Sequence, residues 1–285
     1  MTPARLIFLT SLAMLAFAGN SLLCRLALKH SAIDAASFTT IRLLAGAVVL
    51  GLLVRIKPPS TTSPHTSGGN WLSALALFAY AAGFSFAYIS LPAATGALLL
   101  FGAVQATMIG VGIWRGERLR GLQWLGVLLA LGGLVGLMLP GLSAPPLFGA
   151  VLMLGAGVAW GIYSLRGKGA IDPTRVTAGN FLRAVPITLA LSLLMLNRIN
   201  LDQVGVGYAL VSGALASGLG YALWYSVLPA MKTTHAATVQ LSVPVLATLG
   251  GLLFLGEALN IRMVMASITI LGGIALVILE KKTAP

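Results

Sequence analysis

The few charged residues divide this chain into apolar runs of membrane-spanning length, and this pattern limits it to a membrane fold. Of 285 residues, 58% are hydrophobic and 8% are charged, and the mean hydropathy is +0.97. A helix needs about 20 apolar residues to cross the hydrocarbon, and it satisfies its own backbone hydrogen bonds there. We predict an all-α membrane protein with ten transmembrane helices near 5–27, 37–55, 70–90, 93–114, 121–140, 146–166, 175–196, 204–227, 233–255 and 261–280.

The chain also repeats itself at a spacing of about 140 residues. Leu131-Gly132-Gly133 follows the motif Arg115-Gly116-Glu117, and Leu271-Gly272-Gly273 follows Leu255-Gly256-Glu257 at the same distance. If each copy holds five spans, the second enters the membrane from the opposite side, as in secondary transporters. We therefore predict two inverted five-helix repeats, 1–140 and 146–285, and transport by alternating access.

The lysines and arginines outside the spans are unevenly distributed between the two sides. Cytoplasmic loops carry the excess of these residues, so both termini are predicted to be cytoplasmic. The net charge of +12 then reflects topology, and we expect no nucleic acid partner. Twelve fall on the N-terminal side, namely Arg5, Arg55, Lys57, Arg115, Arg118, Arg120, Arg166, Lys168, Arg175, Lys232, Lys281 and Lys282, and four on the other, namely Arg25, Lys29, Arg198 and Arg262.

Arg42 and Arg183 are the only formal charges that this division places inside helices, and they occupy equivalent positions in the two copies. A charge within a span costs on the order of 3 kcal/mol on insertion scales. Two interpretations remain open: contact with an anion or a gate, or snorkelling towards the interface and neighbouring carbonyls. Since no Asp or Glu falls in the middle of a span, a facilitator or exchanger is favoured over tightly coupled antiport.

Two glutamates and two glycine pairs have predicted structural roles. Glu117 and Glu257 directly precede the fifth and tenth helices, where a carboxylate accepts hydrogen bonds from unpaired amides, so we predict that both are helix caps. Gly132-Gly133 and Gly272-Gly273 allow close approach of helices. The fifth and tenth spans are therefore predicted to be packing or dimer faces.

Polar and aromatic side chains within the remaining spans are the candidates for the transport pathway. Together they predict an aromatic, amide-lined cavity without fixed negative charge, which suits small zwitterionic or aromatic solutes. The alternatives are that the amides bond a neighbouring helix and that the aromatic rings fill the core or face lipid. The predicted substrate-binding residues are Asn20, Tyr80, Phe84, Phe101, Gln105, Trp160, Tyr163, Tyr221 and Gln240.

Residues for chemistry are sparse in this sequence. The single cysteine, Cys24, excludes an internal disulfide framework and a cysteine-rich metal site. An intramembrane enzyme needs clustered His, Cys, Asp or Glu at membrane depth, and no such cluster exists in the spans. We therefore expect no catalytic residues, no metal and no cofactor.

The doubled pattern resembles the EamA domain of the drug/metabolite transporter superfamily. The motifs that carry the resemblance are the small-residue runs ending in Gly-Glu-x-Leu, at Ala93–Leu119 and Ala230–Leu259, each followed by Leu-Gly-Gly. The resemblance implies an exporter of amino acids and related metabolites in the bacterial inner membrane, with spans one, three, four, six, eight and nine around a central cavity.

Within that family, the central aromatic residues look similar to those of a bacterial aromatic amino acid exporter. We therefore expect aromatic and other neutral amino acids as substrates, with a multidrug or quaternary-amine exporter as the alternative. The expected partners are this solute and the lipid bilayer. We expect a monomer, with a dimer as the alternative.

Overall fold

The computed structural model describes residues 1–56, 68–116, 118–139, 141, 144–167, 170, 172–231 and 239–279, and these ranges form a helical bundle. The predicted all-α membrane fold is confirmed. Within the described ranges, nine helices are long and apolar enough to cross a membrane, and α9 is a shorter apolar helix. The helices are α1 (Pro3–His30), α2 (Ala35–Ile56), α3 (Trp71–Tyr88), α4 (Ala93–Trp114), α5 (Gly121–Met138), α6 (Leu147–Gly167), α7 (Pro173–Leu194), α8 (Gln203–Ala230), α9 (Ser242–Leu255) and α10 (Ile261–Leu279).

Short polar side chains fix where several helices begin. A side-chain oxygen at the N-cap accepts a hydrogen bond from a backbone amide that has no partner in the first turn. Thr2 caps α1, Asn70 caps α3, Asp172 caps α7, Asp202 caps α8 and Asn260 caps α10. These caps lie between apolar runs, so the helix boundaries follow local sequence.

The contacts between helices match when each helix of the first five is exchanged for its counterpart in the second five, as a repeated five-helix plan predicts. α2 packs against α7, and α5 packs against α10. The contact of α3 with α6 corresponds to that of α8 with α1, and the contact of α4 with α6 corresponds to that of α9 with α1. Contacts of α3 with α7 and of α8 with α2 form a further matched set. The repeat bounds at 1–140 and 146–285 stay a prediction.

Glycines allow α5 and α10 to pack with their backbones close together. A Cβ on Gly126 would lie 2.5 Å from the carbonyl oxygen of Gly273, and a Cβ on Gly273 would lie 2.5 Å from that of Gly126. Gly132 and Gly272 point away from this contact, with no described atom within 4 Å of a Cβ. Small residues bring membrane helices together in this way. The glycine pattern thus serves packing between α5 and α10.

Asp34 ties two helix connections together at one end of the bundle. Its carboxylate accepts hydrogen bonds from the amides of Ser37, at 2.9 Å, and of Asn200, at 3.0 Å, and its own amide donates to the Asn200 carbonyl. Partial burial acts to raise the pKa of Asp34, but these hydrogen bonds outweigh it and hold the pKa below the usual value. The ionised form therefore stabilises this end of the fold.

Gly273→Val is expected to destabilise the α5–α10 contact, because the added side chain meets backbone atoms. Overpacking of this kind costs roughly 1–3 kcal/mol. Thermal unfolding of the purified protein in one detergent measures the effect. Gly272→Val is the matched control, with the same change of helix propensity and a side chain in open space. Equal shifts in the two variants would contradict this packing.

Asp34→Asn is expected to lower the unfolding temperature at neutral pH. Because the folded-state pKa lies below the unfolded value, the stabilisation is present above the unfolded pKa and is lost as pH falls through the folded pKa. The difference between variant and wild type should therefore shrink below about pH 4. Unfolding curves between pH 7 and pH 3 test this, and a constant difference would argue against the carboxylate.

Candidate functional site

A small cavity, with about 20 Å³ open to the centres of water-sized molecules, lies between helices from both halves of the chain. Its walls come from α1, α3, α4, α6 and α8, whereas α5 and α10 pack outside it. Ligand sites between bundled helices commonly have this combination of apolar walls and a few polar groups. The lining residues are Phe17, Asn20, Ser21, Tyr80, Phe84, Leu100, Phe101, Trp160 and Tyr221.

Trp160 is the centre of the aromatic wall. Its ring lies 4.9 Å from that of Tyr80, 5.0 Å from that of Tyr221 and 6.5 Å from that of Phe17, measured between centroids. Behind it, the Tyr163 ring stacks at 5.5 Å and 26°. Such offset and tilted contacts stabilise aromatic pairs beyond the area that they bury. The wall is therefore a packed set of rings from four helices, α1, α3, α6 and α8.

Polar groups at the cavity meet at the Tyr80 hydroxyl. Asn20 Nδ2 donates to this oxygen at 3.2 Å, and Arg42 Nη2 donates to it at 3.0 Å. The Asn20 amide is oriented by Ser212, whose hydroxyl donates to Oδ1 at 2.7 Å. The network thus connects α1, α2, α3 and α8.

Arg42 is fully buried, with a relative exposure of 1%. Its Nε donates to Ser217 at 3.1 Å, and its guanidinium carbon lies 5.3 Å and 4.9 Å from the ring centroids of Tyr80 and Phe84. In the part of the chain that the structure describes, Nη1 has no hydrogen-bond partner and no carboxylate forms an ion pair with Arg42. The snorkelling interpretation is therefore wrong for Arg42.

Arg183, the repeat-equivalent residue, has different surroundings. Its Nη1 donates to the carbonyl oxygens of Gly68 and Gly179, and the residue is half-buried. This arrangement matches the interpretation that the charge reaches neighbouring carbonyls. The two arginines are equivalent in sequence and unequal in structure.

A π-helical segment in α8 carries both serines of this network. Residues Ser212–Leu219 form a π-helix. This conformation is rare in proteins overall, and where it occurs it is often found at functional sites. Gly213 lets α8 approach α2, since a Cβ there would collide with the Arg42 carbonyl oxygen. Ser212 and Ser217 are fully buried and point to Asn20 and Arg42.

At one end of the bundle, a buried ion pair joins helices of both halves. Arg25 Nε lies 3.2 Å from Glu257 Oε1, and Arg25 Nη1 donates to the Tyr88 and Ile89 carbonyl oxygens at 2.8 and 3.0 Å. Glu257 Oε2 accepts from the Ala93 amide at 2.8 Å, in the first turn of α4. The pair therefore connects α1, α3, α4 and the α9–α10 turn.

This ion pair corrects two expectations. Glu257 caps α4 and not α10, because Asn260 already accepts from the first turn of α10, at Met263. Arg42 and Arg183 are not the only charges within helices, since α1 runs on to His30 and buries Arg25 at 8% exposure. Glu117 lies outside the described residues.

Arg166 follows Arg25 by 141 positions, as Arg183 follows Arg42, so the two are equivalent in the repeat. It acts at the opposite end of α3. Its Nε donates to Ser73 Oγ at 3.0 Å, and Nη2 donates to Asn70 Oδ1 at 3.1 Å, both at the start of α3. Asn180 adds a further contact there, since its Oδ1 accepts from the Asn70 amide. The equivalent arginines thus bind different partners at the two ends.

Six of the nine predicted substrate-binding residues line the one cavity, and their binding role stays a prediction. The other three lie outside the lining. Gln105 is buried one turn beyond Phe101 on α4, Tyr163 stands behind Trp160 and accepts from Asn180 Nδ2 at 3.4 Å, and Gln240 is partly exposed before α9. The six are Asn20, Tyr80, Phe84, Phe101, Trp160 and Tyr221.

Sequence reasoning missed Phe17, Ser21 and Leu100 in the lining. The signal for the first two was their spacing: Phe17 precedes Asn20 by three positions and Ser21 follows Phe17 by four, so they share a face of α1. Leu100 carried no comparable signal, because apolar residues occupy every face of α4.

Some known proteins are similar to this chain in sequence, and a solved structure is similar to it in fold. Residues 147–279 match the family model described as the EamA-like transporter family. An uncharacterized protein of Pseudomonas aeruginosa is 57% identical over 278 residues, which cover 98% of this chain and 96% of that protein. A protein known from a crystal structure shares the fold with a TM-score of 0.70, at 19% identity, over 99% of this chain and 100% of the other.

A further relative carries a substrate in its name. The threonine/homoserine exporter RhtA of Salmonella typhimurium is 33% identical over 149 residues. This match covers 50% of this chain and 49% of that exporter, so it spans about half the length of each protein.

Glu257→Gln is expected to destabilise the protein by roughly 3–5 kcal/mol, because it leaves the buried Arg25 charge unpaired. The double variant Arg25→Met with Glu257→Gln removes both charges, and should be less destabilised than the sum of the single changes. Thermal unfolding of the four proteins in one detergent completes the cycle. Additive effects would show that the two side chains do not interact.

Proposed function

This chain belongs to the EamA-like transporter family, and on that premise we propose that it exports neutral amino acids, aromatic ones among them, and related metabolites by alternating access. The family makes it a multi-pass membrane transporter of small molecules. Amino acids as the substrate, a cytoplasmic position of both termini and the bacterial inner membrane are parts of the proposal.

The observation that carries the proposal is the composition of the central cavity. Aromatic rings form most of its wall, and an amide and two tyrosine hydroxyls are its main polar groups. The rings suit the apolar side chain of a solute, and the amide and hydroxyls suit its polar backbone groups. Within the described lining there is no carboxylate. A small neutral or zwitterionic molecule matches this surface best.

The name of one relative supports amino acids as the substrate class. RhtA is a threonine/homoserine exporter, and both of its named substrates are neutral amino acids. The match covers half of each chain, so it supports amino acids as the substrate class and does not indicate which amino acid side chain is preferred. The preference for aromatic side chains rests instead on Tyr80, Trp160 and Tyr221.

The Arg25–Glu257 pair supports alternating access. It joins α1, α3, α4 and the α9–α10 turn at one end of the bundle. Opening that end requires these helices to separate and the pair to break. A transporter of this class needs such a barrier at each end, formed and broken in turn.

A quaternary-amine or multidrug exporter is the second candidate. The ring cluster around Trp160 favours it, since aromatic faces bind organic cations. Arg42 opposes it, because its buried positive charge lies against two rings of the same wall. The amino acid proposal therefore comes first.

Trp160→Ala is expected to reduce amino acid flux in proteoliposomes at least about tenfold, because it removes the ring on which the aromatic wall converges. The measurement is uptake of a panel of labelled neutral amino acids and organic amines, with and without an imposed pH gradient. Trp114→Ala, at a residue that is 86% exposed, is the matched control. Uptake of amines without uptake of any amino acid would reverse the order of the two candidates.

A further inference from the structure

We propose that the cavity recognises its substrate through the carboxylate alone, with Arg42 supplying the positive field and Tyr80 the direct hydrogen bond. This inference deepens the proposed function and rests on it for the location of the binding site. Its consequence is a specific substrate class. Apolar monocarboxylates that lack an amino group are ligands together with the amino acids.

The first support is that Arg42 has no counter-ion among the residues that the structure describes. A buried arginine is normally paired, because an isolated charge in a low-dielectric interior is costly. Every acidic residue that the structure describes is engaged elsewhere, and Glu117 and Glu280 lie outside those residues. Glu257 and Asp172 pair with Arg25 and Arg175, while Asp34 and Asp202 accept from backbone amides at helix starts.

The second support is that the Tyr80 hydroxyl can still donate a hydrogen bond. Its oxygen accepts from Arg42 and from Asn20, and a phenolic oxygen accepts at most two hydrogen bonds. The hydroxyl proton is then the group that Tyr80 has left to give. Because a cation donates to the same oxygen, this proton is polarised, and its natural acceptor is an anion.

Two further hydroxyls of the lining have no fixed partner. Ser21 Oγ and Tyr221 Oη are buried and make no hydrogen bond of normal geometry among the described residues, although Ser21 lies close to Tyr88 and Tyr221 lies close to Tyr80. Both residues line the same cavity as Tyr80. Buried polar groups normally have partners, so the acceptor oxygens of a solute in this cavity would satisfy hydroxyls that the described residues leave unpaired.

The cavity has no counter-charge for an ammonium group. Its lining, as far as the structure describes it, contains no carboxylate. The Tyr80 and Phe84 rings, which can attract a cation, lie against the Arg42 guanidinium. The amino group therefore adds little to binding, and an amine without a carboxylate is repelled.

The position of Arg42 suits a ligand that both halves share. It bonds Tyr80 on α3 and Ser217 on α8. These residues are 137 positions apart, which is also the spacing between the similar segments Tyr88–Ala93 and Tyr225–Ala230 of the two copies. Arg42 therefore bonds equivalent points of the two halves. An anion bound in the neighbouring cavity would lie between those halves, as alternating access requires.

Binding of three ligands that share one aromatic body tests the inference. Phenylalanine, 3-phenylpropionate and phenethylamine are titrated at pH 7 into the full-length protein in detergent, with isothermal titration calorimetry as readout. We expect the two carboxylates to bind within about tenfold of each other and phenethylamine at least about tenfold more weakly. Comparable binding of phenethylamine, loss of 3-phenylpropionate binding or no binding of any ligand would overturn it.

Three variants connect the preference to the named residues. Arg42→Gln and Tyr80→Phe should each weaken 3-phenylpropionate binding at least about tenfold, and Arg42→Lys should lose less. Arg198→Gln removes one exposed charge far from the cavity and should bind as the wild type does. If Arg42→Gln does not fold, Tyr80→Phe, which retains the ring, decides. Unchanged binding in Tyr80→Phe would refute the role given to its hydroxyl.

Flux measurements separate this inference from the proposed function. If 3-phenylpropionate binds in an Arg42-dependent way but no amino acid crosses the membrane in proteoliposomes, the inference holds and amino acid export is wrong. If amino acids are transported but 3-phenylpropionate neither binds nor competes with them, export holds and recognition through the carboxylate alone is wrong.

Discussion

A membrane interior offers no water, so every charge that the chain buries must be satisfied by the chain or by what it carries. Four arginines meet this constraint in four ways. Arg25 pairs with Glu257, Arg166 bonds polar side chains at the start of α3, and Arg183 reaches backbone carbonyls. Arg42 is left with hydroxyl groups and aromatic faces. The cavity lies beside an arginine that is fully buried and that has no counter-ion in the described part of the chain.

The helices could be predicted from the sequence because bilayer thickness fixes their length. The predicted span at 93–114 has the same bounds as α4, and the one at 37–55 differs from α2 by one or two residues at each end. Charged residues and turns with Gly or Pro mark the ends of each span within the local sequence, and the thickness of the hydrocarbon sets the length between them. The same reasoning failed at Arg25, which was counted with the charges outside the spans although α1 carries it and buries it.

The pairing of side chains could not be predicted in the same way. Glu257 is near the start of α10 in sequence, and that proximity suggested a cap on α10. Its actual partners, Arg25 and the Ala93 amide, are 232 and 164 residues away. Which helix ends meet in the bundle depends on packing of all ten helices. Candidate residues for the cavity were found more readily, since an amide or a tyrosine within a span already needs a protein partner, as Asn20 and Tyr80 illustrate.

The π-helical segment of α8 makes the cavity wall depend on the winding of one helix. A π-turn takes about one residue more than an α-turn, and one residue corresponds to roughly 100° of rotation in an α-helix. Tyr221 lies just beyond Ser212–Leu219. Rewinding that segment as α-helix would rotate the Tyr221 ring out of the cavity without any tilt of α8. The position of the Tyr221 ring in the cavity wall thus depends on the π-helical winding of the eight residues before Gly220.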